Sequence, residues 1–127
     1  MKSTILICLL LLIEFTVQGQ TIIPGGYVSG IWESSQSPYH IQGNIEIHYD
    51  STLIIEPGVD LLFDSSYLFT INGRIDATGT LADSVRFTAS IDSIGWKGIY
   101  FNQINVVLDS SFLKYCSSTG IEGKGVD

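Results

Sequence analysis

The residues able to do chemistry are few and widely spaced. Removal of a proton next to a carboxylate needs a basic residue, with calcium or an arginine to steady the enolate. Arg74 and Asp76 alternate on one expected strand and so share a face, and Arg86 or Lys97 fall where adjacent coils of the chain would place them. A salt-bridged or solvated outer face accounts for the same residues more simply. His40 and His48 stand eight residues apart, with no Cys or carboxylate at ligand spacing, and match no zinc pattern. Gly-x-Ser-x-Gly, the elbow of a Ser-His-Asp hydrolase, does not occur, and Gly25-Gly26 lacks the strand before it and the Lys-Ser/Thr after it that a phosphate loop requires. Asp50-Ser51, Asp64-Ser65, Asp83-Ser84 and Asp109-Ser110 recur, but at neither EF-hand nor nonapeptide calcium spacing. They suit chain corners, where both side chains bond nearby backbone. No catalytic, cofactor-binding or metal-ligating set is therefore assigned, and no cofactor is expected.

The elements that would position such residues are strands. Period-two apolar runs occur at Ile45–Tyr49, Leu53–Ile55, Val59–Phe63, Leu68–Ile71, Ile75–Ala77, Val85–Phe87, Ile99–Phe101, Val106–Leu108 and Phe112–Tyr115, separated by Gly, Asn, Asp and Ser. Strands this short do not suit a sandwich and point to a solenoid. Ile41-Gln42-Gly43-Asn44-Ile45 echoes in Ile71-Asn72-Gly73-Arg74-Ile75, and Gly98-Ile99 in Gly120-Ile121. These intervals suit a β-solenoid rung of roughly 20 to 30 residues. Residues 20–40, with Pro24-Gly25-Gly26, a polar stretch from Glu33 to Ser37 and Pro38, read as an N-terminal cap. Trp32 and Tyr39 are expected to cover the apolar end of the stack, and a sugar-stacking platform is the functional alternative for such aromatics.

Composition agrees with this picture. Of 127 residues only 15% are charged, against about 25% in an average globular protein. Thirteen glycines and no sustained helical spacing exclude a helical bundle. A net charge of −7 without a basic run removes the counterion-release term that drives nucleic-acid binding, so no nucleic-acid partner is expected. Residues 1–19 read as a secretory signal peptide: Lys2, an apolar run from Ile5 to Ile13, and small or branched residues at Val17 and Gly19. The run is far short of the roughly 20 residues that cross a bilayer, so no membrane span is expected after its removal. Cys8, inside the run with no small neighbour, is a poor lipidation site. Cleavage leaves Cys116 alone, so no internal disulfide forms, and its place in Phe112–Cys116 suits a buried small hydrophobe.

Ile41–Ile45 followed by Leu53-Ile54-Ile55-Glu56-Pro57-Gly58-Val59 resembles the opening rungs of secreted bacterial right-handed parallel β-helix proteins of the pectin-lyase-like kind. Ile71–Thr80, Val85–Thr88 and Gly95-Trp96-Lys97-Gly98-Ile99-Tyr100-Phe101 resemble that family's G-x-L-x-A-x-G-T, I-x-F-T and W-x-G-I-x-F strands, and Asp109–Cys116 resembles the start of a further rung. The resemblance runs from about Gly30 to Gly123. It implies an all-β, right-handed parallel β-helix of roughly three rungs over residues 41–127, truncated at its C-terminus, in a secreted or cell-surface protein. It does not imply an enzyme, because the architecture carries lyases, hydrolases and adhesins alike. The family's hydrolases show adjacent aspartates and a histidine between glycines, neither of which is present, and inverting hydrolysis needs carboxylates about 6.5–9.5 Å apart. The expected function is a non-catalytic structural or adhesive module that takes a polysaccharide or cell-surface ligand. The alternative is the N-terminal part of a polysaccharide lyase or hydrolase whose active residues lie beyond Asp127.

Overall fold

The computed structural model describes residues 19–102 and 111–121. The expected signal peptide through Gln18, with Cys8, the expected strand Val106–Leu108, Asp109-Ser110 and the last six residues lie outside them. Numbered in chain order, the strands are β1 Thr21–Ile23, β2 Gly26–Tyr27, β3 Gly30–Trp32, β4 Tyr39–Ile41, β5 Ile45–Ile47, β6 Thr52–Ile55 and β7 Asp60–Phe63. There follow β8 Leu68–Ile71, β9 Arg74–Thr78, β10 Val85–Ala89, β11 Gly98–Phe101, β12 Phe112–Lys114 and β13 Cys116–Thr119. One 3-10 turn, Ser34–Gln36, joins β3 to β4. The described residues are thus all-β, without an α-helix.

Every third strand returns to the same sheet. The first sheet runs β1-β4-β7-β10-β13, the second β2-β5-β8-β11 and the third β3-β6-β9-β12, and all the strand pairs are parallel. Period two then stacks like on like. Inward residues form columns along each sheet: Tyr39, Leu61 and Phe87 in the first, Ile47 and Ile71 in the second, Trp32, Ile55 and Ala77 in the third. All are buried. Because every hydrophobic column faces the same interior, a one-residue slip would turn it to solvent, which pins the register. Phe63 and Trp96 lie ring on ring at 4.0 Å in this core, and the Trp96 indole donates to the Thr119 carbonyl at 3.0 Å, tying the loop before β11 to β13.

The segment read as an N-terminal cap also supplies strands: β1, β2 and β3 are the first members of the three sheets. Pieces of two or three residues are too short to show a period, and Gly25, Gly26 and Gly30, all at positive φ, break the pattern further. Trp32 and Tyr39 do pack inside, stacked at 4.7 Å, and the Tyr39 hydroxyl accepts from the Glu33 N–H at 2.9 Å.

The two internal echoes are not the stacking interval. Ile41–Ile45 turns the chain from the first sheet to the second, whereas Ile71–Ile75 turns it from the second to the third. In register Ile45 faces Phe69 and Ile47 faces Ile71. The echo is a corner, not a repeat. At Gly43 an added Cβ would lie 2.5 Å from the Pro24 carbonyl oxygen, and at Gly73 it would run into the carbonyls of His48 and Ser51, so both corners need a residue without a side chain. Similarly, Ile121 pairs with Trp96 rather than with Ile99.

Candidate functional site

Among the described residues, the outer face of the second sheet carries a groove with fixed polar groups. In β5, Ile45 and Ile47 point inward, which turns Glu46 outward. Parallel pairing places Tyr27 beside it on one side and Thr70 on the other, with Tyr100 beyond. The row Tyr27–Glu46–Thr70–Tyr100 thus crosses the sheet. A groove of about 280 Å³ opens on it, lined by Gly26, Tyr27, Asn44, Ile45, Glu46 and Thr70. Its polar groups are held in place. Asn44 Oδ1 accepts from the Leu68 N–H at 2.9 Å, the Asn72 amide donates to Glu46 Oε1, and the Asn102 amide donates to Asn72 Oδ1 at 2.8 Å.

One aromatic ring, Tyr27, lines the groove, and two more rings follow beside it. Tyr27 is 70% and Tyr49 72% exposed. His48 lies between them, edge-on to Tyr27 at 5.2 Å and tilted against Tyr49 at 4.2 Å. His48 Nδ1 contacts Asp50 Oδ1 at 2.6 Å. An ionised carboxylate only accepts, so Nδ1 is the donor in this contact. The bonds from His48 and then Ser51 hold the Asp50 carboxyl below its usual range. The ring series Tyr27–His48–Tyr49, with Glu46 paired to Tyr27 and Asp50 bonded to His48, can stack on a ligand ring and bond to its polar substituents.

The sheets keep the other expected residues apart. Arg74 and Asp76 do share the outer side of β9, but the Arg74 guanidinium sits 5.8 Å from the Phe112 ring centre and Asp76 accepts from the Thr78 hydroxyl at 2.9 Å. Arg86 stands on the first sheet, where its Nε and Nη2 grip Asp60 at 2.7 and 2.6 Å, a bond that raises the guanidinium pKa. The second groove, about 260 Å³ and lined by Gly58, Asp60, Ala82, Asp83, Ser84 and Arg86, therefore has its cation already matched. Lys97 leads into β11 on the second sheet. The three cations that sequence spacing could have grouped thus lie on three different sheets.

The histidines are separated too. His40 belongs to the first sheet, with Nδ1 2.9 Å from Asp64 Oδ1, and His48 follows β5 on the second. Among the described residues no group of three or more His, Cys, Asp or Glu could hold a metal ion. Cys116 stacks on Val85 in register but is only half-buried, its thiol directed at the Ala77 carbonyl at 3.2 Å. Burial raises its pKa, which keeps it a thiol and a poor nucleophile.

Trp32 and Tyr39, expected to cover the apolar end with a sugar platform as the alternative, are core residues, and the exposed Tyr27 and Tyr49 were not singled out by sequence reasoning. The available signal was position: Tyr27 directly follows Gly25-Gly26, and Tyr49 precedes the corner Asp50-Ser51, both places where a large ring has no interior to enter. No helix among the described residues is long and apolar enough to cross a membrane. A scan of protein-family models, a search of curated proteins and a search of solved structures each give no match to the chain.

Proposed function

We propose that this chain is a non-catalytic module of a secreted, right-handed parallel β-helix protein that binds glycans on the outer face of its second sheet. The β-helix reading is supported by the cycling of strands through three parallel sheets. The right hand follows from the general preference of parallel crossover connections. On this reading β1–β3, β4–β6, β7–β9 and β10–β12 are successive rungs and β13 opens another. Residues 1–19 are its export signal, and its place is extracellular or on the cell surface. The resemblance to pectin-lyase-like proteins belongs to the same proposal.

One observation carries the function: a groove whose polar atoms are fixed by hydrogen bonds has the exposed Tyr27 in its wall, with His48 and the exposed Tyr49 ring following beside it. Exposed rings cost solvation and suit the apolar faces of pyranose rings. A panel of immobilised polysaccharides tests it. The protein is expected to bind at least one, and Tyr27→Ala or Tyr49→Ala should each weaken that binding by about 3- to 10-fold, the loss of one stacking contact of about 0.5–1.5 kcal/mol. Circular dichroism should remain unchanged. Release of unsaturated uronates or reducing sugars by the protein, abolished by changing Arg74, would instead support the lyase or hydrolase alternative.

A further inference from the structure

The ionic character of the groove selects among glycans. We infer that it prefers sugars carrying protonated amines over those carrying carboxylates, a conclusion that rests on the glycan-binding reading above. Among the six lining residues the one ionisable group other than the Tyr27 phenol is the Glu46 carboxylate. In the turn after β5, Asp50 is held in its ionised form through His48 and Ser51. The Asp50 carboxylate stands 2.6 Å from His48 Nδ1. No Lys or Arg lines the groove. Arg86 is engaged by Asp60 on the first sheet, and Arg74 lies over Phe112 on the third.

A uronate in this groove would set its carboxylate against Glu46 with no cation between them, and like charges brought together oppose binding. An ammonium group meets the opposite situation. Glu46 supplies a counter-charge whose position Asn72 fixes, and the exposed faces of Tyr27 and Tyr49 attract a cation through their ring quadrupoles. The overall charge of −7 adds a long-range attraction of the same sign. The ligand class is therefore a glycan of free hexosamines, one ring on the tyrosines and its amine towards Glu46.

The test is titration calorimetry of the full chain at pH 5.5, where Asp and Glu remain ionised. Three tetrasaccharides serve as probes: β-1,4-linked glucosamine, its fully N-acetylated form, and oligogalacturonate. The glucosamine tetramer should bind about tenfold or more tightly than either of the others, and added salt should weaken it. Glu46→Gln, which keeps an acceptor for Asn72, should abolish the preference without changing the circular dichroism. Equal binding of the N-acetylated tetramer, or tighter binding of the galacturonate, overturns this inference and leaves glycan binding standing. If none of the three binds, the inference falls, and the polysaccharide panel separately decides whether the broader reading falls with it.

Discussion

Asp64, just after β7, gathers bonds from the neighbouring levels on both sides of it, those of β4 and β10. Its carboxylate accepts from His40 at 2.9 Å, from Gln42 at 3.0 Å and from the Ser90 hydroxyl. Partial burial pushes its pKa up, but the bonds from Ser90, His40 and Gln42 outweigh that, and the carboxyl sits below its ordinary value. The folded state therefore holds the ionised form more tightly than the unfolded chain does. That contribution is complete above the unfolded value of about 3.9 and is lost as pH falls through the lower folded one. Asp64→Ala should cost about 1–3 kcal/mol in urea unfolding at pH 7, since it leaves three donors without their acceptor. Its stability should also fall less steeply between pH 4 and pH 2 than that of the wild type. An equal acid slope in both proteins would show that Asp64 stays as easily protonated in the fold as out of it.

The corners are the elements that decide how the sheets close. Gly73→Ala would bring a methyl group onto two carbonyls, those of His48 and Ser51, whereas Gly43→Ala meets one carbonyl and the Gly25 backbone. Backbone cannot swing aside as a side chain does, so thermal unfolding should show a loss of about 3 kcal/mol for Gly73→Ala and about 1–2 kcal/mol for Gly43→Ala. These glycines also explain what was legible in the sequence. From Ile45 to Phe101 the alternation of apolar residues marks each observed strand to within a residue or two, because one face of each strand from β5 to β10 is buried. The rough size of the interval between stacked strands was legible, but not which residues it brings together. Ile41-Gln42-Gly43 and Ile71-Asn72-Gly73 look alike because both solve the same close approach, at different corners. Likewise Tyr27 and Trp32 are both aromatic residues in a turn-rich stretch. Only the register, which pairs Trp32 with Ile55 inside and Tyr27 with Glu46 outside, separates the buried ring from the exposed one.

At the scale of the whole molecule, stability accumulates from one level of the stack to the next. Strands β4 to β9 have partners on both sides, while β1, β2 and β3 each have one partner among the described residues. Amide hydrogen exchange should accordingly be slowest in β4–β9 and faster by at least about tenfold in β1–β3, as expected where opening an end exposes less apolar surface than opening the middle. Uniform protection along the chain would mean that it opens only as a unit. The two tryptophans fall on either side of that distinction. Trp32 lies in β3 against Tyr39, and Trp96 lies far along the chain against Phe63, both out of water. Each is a natural fluorophore that shifts to the red when wetted. The protein therefore carries its own pair of optical probes, one for each end of its progress from folded to unfolded, and replacing either tryptophan by phenylalanine would let the other be read alone.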